Sequence, residues 1–195
     1  MINITGNREG AVAVGNGDGL TVWLTGLPSA GKTTLARAVR VALVADGWRA
    51  EVLDGDAMRE TLTRGLGFSR ADRDENVRRI GWLAHLLARN GVVAICPVIS
   101  PFRAARDEVR ARHAGRFVEV HVAAPVEVCA RRDVKGLYAR QRAGDLHGLT
   151  GVDDPYEPPL EPEVTVATDR LSVDEAAAVV LSHVCSRLAP AGAAR

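Results

Sequence analysis

A run of consecutive residues in the first fifth of the chain has the types and spacing that bind phosphate. Residues 26–33 read GLPSAGKT, the pattern of a P-loop, with a short apolar run before it and a helix-like segment after it. The backbone N–H groups of such a loop surround the β and γ phosphates of a nucleotide. Lys32 would then reach the β and γ oxygens, and Thr33 would ligate magnesium. The predicted phosphate-binding residues are Gly26, Leu27, Pro28, Ser29, Ala30, Gly31, Lys32, Thr33 and Thr34.

Two carboxylates follow the second predicted strand. Asp54 and Asp56 flank Gly55 directly after the run AEVL. Since the ligand crevice of a parallel sheet lies at the carboxyl ends of its strands, the pair could serve magnesium and a substrate hydroxyl. The same residues could instead form an Asp–Gly turn with a helix N-cap. Behind a P-loop they favour a small-molecule kinase over a switch-type NTPase, whose magnesium-organising Asp belongs to a different motif.

The basic residues have an uneven composition. Lys32 and Lys135 are the only lysines among 25 basic residues, and all the others are arginine. Lysine is a compact point charge on a flexible stem, whereas arginine is a planar fork. This contrast indicates that positions 32 and 135 need an ammonium group, although two lysines could also have survived by chance.

The elements that must position these residues alternate between strands and helices. Apolar and β-branched runs predict buried strands over 21–25, 50–54, 92–99, 117–122 and 164–168. Helical patterns fall between them, over 32–46, from a capping box at Ser69 and Asp72 to about 90, from an N-cap at Ser100 to about 113, over 126–132 and over 173–188. We therefore predict an α/β fold of the P-loop NTPase type, a five-stranded parallel sheet flanked by helices on both faces.

The length of 195 residues predicts one compact domain. We divide it into an N-terminal arm at 1–19, a P-loop kinase domain at 20–188 and a C-terminal tail at 189–195. Within the domain, residues 136–162 hold four glycines and four prolines and show no clear periodicity. Long loops in compact domains are usually lids or binding loops, so we predict a mobile lid over about 133–162.

Composition and charge exclude several classes of protein. A formal charge of +1 with 47% hydrophobic residues excludes a disordered chain and gives no electrostatic reason for nucleic-acid binding. No signal-like N-terminus and no apolar run of membrane-spanning length is present, so we expect no membrane association and a cytoplasmic location.

Six motifs in order make the chain resemble the adenylylsulfate kinase family, from about Gly19 to Leu188. They are GLPSAGKTT, LDGDAMRETL, GFSRADRDENVRR, ISPFRAARDEVR, RDVKGLYARQRAGDL and LTGVDDPYEPP. The resemblance implies a kinase that uses ATP and Mg²⁺ to phosphorylate the ribose 3'-hydroxyl of adenylyl sulfate, giving 3'-phosphoadenylyl sulfate. It also implies a homodimer, as in many members, and a functional link to ATP sulfurylase.

The resemblance assigns roles to matching positions. Asp56 would be the carboxylate at the acceptor hydroxyl, its general base, with Asp54 nearby as a further magnesium ligand. Lys135 would be a lid lysine that closes over the phosphates, so the implied catalytic set is Lys32, Asp54, Asp56, Ser100 and Lys135. Phe68 would stack on the acceptor adenine, and the arginines would hold the phosphosulfate. The implied substrate-binding set is Asp56, Arg59, Phe68, Arg73, Asn76, Ile99, Ser100, Lys135 and Leu149.

Two departures from the family pattern matter. Leu149 stands where the family commonly has a Phe that completes an aromatic sandwich about the adenine, and Pro28-Ser29 replaces a common Ser-Gly or Thr-Gly pair. Because of Leu149, a second function stays open: a kinase of the same scaffold that acts on another nucleotide conjugate or small alcohol. A non-catalytic nucleotide-binding module is the third alternative. Single residues have simpler readings too: Phe68 as core packing, Ser100 as an N-cap only, and Arg73 with Asn76 as a solvated helix face.

Overall fold

Five parallel strands form one sheet in the order β2-β3-β1-β4-β5 in a computed structural model that describes residues 19–188. The strands are β1 (Thr21–Thr25), β2 (Ala50–Val52), β3 (Val93–Pro97), β4 (Phe117–Ala123) and β5 (Val164–Ala167). The helices are α1 (Lys32–Ala45), α2 (Gly55–Glu60), α3 (Arg70–Ala88), α4 (Arg103–Arg112), α5 (Val126–Arg132), α6 (Leu137–Arg142) and α7 (Val173–Arg187). The predicted fold class is confirmed.

Side chains of the central strand β1 alternate between two cores. Val22 and Leu24 join the cluster formed with α1 and α7, whereas Trp23 joins the cluster formed with α3 and α4. All three are fully buried, which is the pattern of a parallel sheet covered on both faces. Because β1 lies between β3 and β4, its carboxyl end is the point where the strand order reverses, and a crevice for ligands is expected there.

The predicted strands and helices are all present, with two further helices, three strands that end early and one N-cap that is wrong. Helices α2 and α6 were not expected from the sequence, and strands β2, β3 and β5 end earlier than predicted. The N-cap prediction at Ser100 is wrong: α4 begins at Arg103 with Phe102 at its N-cap position. Ser100 has a left-handed backbone (φ 40°), and its hydroxyl accepts a hydrogen bond from Trp23. Ser100 therefore lies at a corner after β3 and does not cap the helix. Ser69 does cap α3, accepting from the Asp72 amide.

The predicted lid is partly ordered by its own contacts. It contains α6, whose first turn is capped by Asp133, and a bridge between Thr150 and Asp154. The predicted arm lies outside the described residues except for Gly19, and the predicted tail lies outside them entirely. Along residues 19–188, no helix is both long and apolar enough to span a bilayer.

Candidate active site

One cavity of about 970 Å³ opens at the carboxyl ends of β1 and β3 and gathers most of the predicted site. Of the predicted residues, its lining includes Pro28, Ser29, Gly31, Lys32, Thr33, Thr34, Asp54, Asp56, Arg59, Phe68, Arg73, Asn76, Ile99, Ser100 and Lys135. Both lysines of the chain are in this set. Four predicted residues do not line the cavity: Gly26, Leu27, Ala30 and Leu149.

The backbone of the P-loop is shaped by residues with unusual dihedral angles. Gly31 precedes α1 with φ 98°, and Ser29 has φ 60°. A Cβ on Gly26 would lie 2.5 Å from the Val122 carbonyl oxygen, so only glycine fits where the loop passes β4. Because Gly31 has no side chain to cap α1, the first N–H groups of that helix face the cavity side without a side-chain acceptor. A phosphate is the expected partner for such groups.

Lys32 lies across the loop that it belongs to. Its ammonium donates to the carbonyl oxygens of Gly26 (2.9 Å) and Leu27 (2.8 Å), and the residue is 8% exposed. Burial lowers the pKa of Lys32 to about 7, because the charged form loses its hydration. An anion in the cavity would favour the charged form of Lys32 again. This is the behaviour expected of a lysine that binds a phosphate group.

The outer side of the P-loop is held by three residues that the sequence did not point to. Tyr138 on α6 donates to the Pro28 carbonyl (3.0 Å), and Thr168 donates to the Ala30 carbonyl (2.8 Å). Arg132 at the end of α5 also donates to Thr168. Thr168 directly follows β5, so the rule that ligand sites lie at carboxyl ends of strands could have found it. Tyr138 had no such signal beyond its place in a family motif.

Thr33 and Asp54 bring two oxygen donors together at the edge of the phosphate loop. The Thr33 hydroxyl donates to Asp54 Oδ2 at 3.1 Å, while Asp54 Oδ1 accepts from the Asp56 amide and caps α2. Magnesium prefers a few oxygen ligands with the remaining positions filled by water and substrate phosphate. The donor set fits that ion, and the described residues contain no cluster of three or more His, Cys, Asp or Glu that would suit a different metal.

Asp56 and Lys135 face each other across the mouth of the cavity. Their side chains form an ion pair although both are more than half exposed, and Lys135 reaches it from the lid segment. Exposed pairs of this kind contribute little to stability. The pair therefore brings the predicted acceptor carboxylate and the predicted lid lysine to one place without fixing them there.

The predicted acceptor pocket is built around an exposed aromatic ring. Phe68 is 66% exposed and lines the cavity, which contradicts the alternative of core packing. The Arg59 guanidinium lies 4.5 Å from the centre of its ring. Asn76 is buried on α3, where its Oδ1 accepts from Thr63 at 2.8 Å, so Asn76 is not on a solvated helix face. An aromatic ring with a guanidinium beside it suits a flat, anionic ligand such as a nucleotide.

Arg73 links α3 to the second half of the lid. It donates to the Gly148 carbonyl (2.6 Å) and the Thr150 hydroxyl (2.7 Å), and it pairs with Asp154 (2.9 Å). The residue is 7% exposed and yet lines the cavity, so the solvated-face alternative is wrong here too. Leu149, between two of these partners, is 5% exposed and packs in the core with α1 and α7. Leu149 and Phe68 are not brought together across the cavity.

Comparisons with known proteins show which family the chain resembles as a whole. The family model described as Adenylylsulphate kinase matches residues 18–167. An adenylyl-sulfate kinase of Microcystis aeruginosa is 56% identical over 162 residues, which covers 83% of this chain and 89% of that protein. The solved APS kinase of Mycobacterium tuberculosis, in complex with AMPPNP and APS, is 44% identical with a TM-score of 0.82, covering 86% of this chain and 98% of that one.

A more distant likeness shows how widely the scaffold is used. A gluconokinase from Sinorhizobium meliloti shares 18% identity with a TM-score of 0.57, covering 87% of this chain and 93% of that one. At that identity only the fold is shared, so the fold alone does not choose the acceptor. The family model and the similar sequences do decide the family: the chain belongs to the adenylylsulphate kinases.

Proposed function

We propose that this enzyme transfers the γ-phosphoryl group of ATP to the ribose 3'-hydroxyl of adenylyl sulfate. The observation that carries the proposal is the shared cavity, whose lining includes residues of the phosphate loop, Asp56 and the Phe68 pocket. Kinases need both substrates in line and shielded from water, because positioning and charge stabilisation supply most of the catalysis. A single cavity lined by both sets of groups meets that need.

The donor half of the mechanism uses the P-loop. The N-terminal amides of α1 and the Lys32 ammonium bind the β and γ phosphates, and Lys32 stabilises the charge that develops as the γ-phosphoryl group leaves. Thr33, with Asp54 bonded to it, would hold Mg²⁺, which neutralises phosphate charge when it is bound. Tyr138 and Thr168 keep the loop carbonyls turned away from the phosphates.

The acceptor half uses the opposite wall. Phe68 stacks on the adenine, and Arg59 and Asn76 contact the sugar, phosphate and sulfate groups. Asp56 accepts the proton of the 3'-hydroxyl as that oxygen attacks, and Lys135 leaves Asp56 for the phosphates when both substrates are present. Arg73 orders the lid segment that covers the acceptor through Gly148 and Thr150.

An acceptor screen tests the proposal against its two alternatives. The purified protein with MgATP is given adenylyl sulfate, AMP, a nucleotide sugar and gluconate, and the product is identified by mass and by the position of the new phosphate. We expect turnover with adenylyl sulfate alone. Preference for another acceptor would support a different kinase of the same scaffold, and binding without turnover would support a non-catalytic module. The intact set Lys32, Thr33, Asp54 and Asp56 argues against that module.

Leu149 provides a test of the acceptor assignment in particular. We propose, on the strength of the family resemblance, that Leu149 covers the adenine opposite Phe68. Arg73 lines the cavity and holds both chain neighbours of Leu149, so the Leu149 side chain has to turn out of the core to make this contact while the Arg73 bonds are kept. Leu149→Phe should then lower the KM for adenylyl sulfate about two- to twelvefold, the equivalent of roughly 0.5–1.5 kcal/mol for an aromatic pair. The KM for ATP should stay within twofold. Steady-state kinetics with each substrate varied gives both values.

The control for this substitution is Leu146→Phe, because Leu146 packs against the same core and, unlike Leu149, has no chain neighbour that Arg73 binds. It should change neither KM. A larger ring in a packed site also lowers stability, so Tm is measured for both variants. Equal changes in the two KM values for Leu149→Phe would mean that we have assigned Leu149 to the wrong nucleotide. A lower Tm with unchanged KM values would mean that Leu149 packs only in the core.

Further expectations from the sequence remain proposals. We propose a homodimer and a functional link to ATP sulfurylase on the strength of the family resemblance, together with a cytoplasmic location. Size-exclusion chromatography with light scattering at several protein concentrations tests the first of these.

A further inference from the structure

Arg106 lies behind the acceptor wall, outside the cavity, and contacts three separate parts of the fold. On α4, at 2% exposure, it donates to Glu119 Oε1 on β4 (2.7 Å), to the Ser100 carbonyl (2.6 Å) and to the Glu157 carbonyl (2.7 Å). Only Nε is bonded to Glu119, and the remaining donors of this buried guanidinium are satisfied by two main-chain carbonyls. The two carbonyls belong to the corner after β3 and to the segment that returns from the lid.

The corner at Ile99 and Ser100 is a strained part of the cavity wall. Ser100 has φ 40°, which is costly for a residue with a side chain, and it is 1% exposed. Neighbours fix the corner through side-chain donors: Trp23 binds the Ser100 hydroxyl (3.0 Å), Thr25 binds the Ile99 carbonyl (2.7 Å), and Arg106 binds the Ser100 carbonyl. Strain of this kind persists only when the surroundings hold it in place.

The returning lid segment is fixed by the same region. The Glu157 amide donates to the Pro101 carbonyl (2.8 Å), its carboxylate accepts from the Arg103 amide (2.8 Å), and Arg103 donates to the Pro158 carbonyl (2.9 Å). Arg106 adds the bond to the Glu157 carbonyl, so one guanidinium joins the acceptor wall to the base of the lid. The planar fork of arginine makes this possible, since its donors point in several fixed directions.

We propose that Arg106 is a positioning residue for the acceptor: it holds the Ile99–Ser100 corner and the returning lid segment at Glu157 in one fixed arrangement. The inference rests on the proposed function only where it names the substrate. It assigns Arg106 no contact with adenylyl sulfate or ATP. Its effect should therefore be found in acceptor binding and in the order of these two segments, with the phosphate loop unaffected.

Arg110 is a matched control on the same helix. It lies one turn further along, donates to the other oxygen of Glu119 (3.0 Å) and pairs with Glu163. Its bonds reach neither Ser100 nor Glu157. Arg106→Lys and Arg110→Lys each keep a positive charge near Glu119 and remove a guanidinium fork. Comparing the two variants separates a role in holding the Ile99–Ser100 corner from a role in neutralising the buried Glu119 carboxylate.

We expect Arg106→Lys to raise the KM for adenylyl sulfate about ten- to a hundredfold, as small misplacements of substrate-positioning groups do, with the KM for ATP within twofold. Hydrogen exchange of the Ile99, Ser100, Tyr156 and Glu157 amides should quicken about tenfold. Arg110→Lys should lower Tm and leave both KM values and this exchange within twofold. If Arg106→Lys does not fold, Arg106→Gln is measured in the same way below its own Tm.

Equal effects of the two lysine variants on KM and exchange would overturn the proposal, as would a folded Arg106→Lys enzyme with an unchanged acceptor KM. Hydrogen exchange needs no substrate, so it separates this inference from the proposed function. If the wild-type enzyme phosphorylates a different acceptor, the KM of that acceptor is the one expected to rise. Faster exchange of the Ile99, Ser100, Tyr156 and Glu157 amides in Arg106→Lys alone would still support positioning.

Discussion

Lys32→Ala should lower kcat by roughly 10²- to 10³-fold or more while the protein remains folded. The ammonium lies inside the phosphate loop, 2.8 and 2.9 Å from two loop carbonyls, and stabilises charge that develops on the transferred phosphoryl group. Since the buried ammonium gives up its hydration in the folded state, its removal should cost little stability. Turnover of MgATP with adenylyl sulfate and a thermal melt measure the two effects.

Lys32→Arg should fail as well. A planar guanidinium does not fit a niche built for a point charge without displacing the loop. Arg40→Ala is the control, because Arg40 is on the same helix, carries the same charge and bonds to Ala50 and Glu51 away from the cavity. It should keep kcat within about twofold. A Lys32→Ala enzyme with turnover within tenfold of the wild type would refute the assignment of the phosphate loop.

The phosphate loop was predictable because its chemistry lies in consecutive residues. A strand, a glycine-rich turn and a helix follow one another in the chain, so local pattern alone places Lys32 and Thr33. The alternation of apolar runs with helical patterns gave the sheet and its flanking helices for the same reason. Even the pairing of Thr33 with Asp54 follows from two strands of one parallel sheet ending at the same edge.

Other features depend on residues that are far apart in the sequence. The sequence pattern at Ser100 predicts an N-cap, but the Ser100 hydroxyl accepts from Trp23, and its backbone is left-handed at a corner held by contacts from across the fold. Helix α6 has only six residues and begins after Gly136 with φ 66°, too short for a periodic pattern to reveal. Arg106 is one of many arginines in the sequence, and only the fold shows which three segments it joins.

The contacts of the predicted lid divide it into anchored and exposed parts. Tyr138 anchors its first helix to the phosphate loop, Arg73 binds its middle, and Arg106 binds its base at Glu157. Lys135 lies just before the first anchor in the chain, with its side chain more than half exposed and paired only with Asp56 in the ion pairs of residues 19–188. Rotation of its own side chain can therefore move the Lys135 ammonium without breaking any of these anchors.

Asp56→Asn should lower kcat by roughly 10²- to 10⁴-fold, the usual contribution of a general base. The asparagine keeps the size of the side chain and the cap of α2, which comes from Asp54, but it cannot accept a proton from the 3'-hydroxyl. Binding of a non-hydrolysable ATP analogue should change less than twofold. Glu60→Gln is the control, since it removes an exposed carboxylate from the same short helix and should leave kcat unchanged.

Asp56 could instead act only by holding Lys135, and a double-mutant cycle separates the two roles. If Asp56 works solely through the ion pair, Asp56→Asn and Lys135→Met should lower kcat equally, and the double variant should lose no more than either single one. If Asp56 accepts the proton, Asp56→Asn should lower kcat more than Lys135→Met does. Adding Lys135→Met to Asp56→Asn should then lower kcat further, because Lys135 acts on the phosphates rather than on the carboxylate. We expect the second result. Equal single losses with no further loss in the double variant would remove the general base from the mechanism and leave Asp56 as the partner of the lid lysine.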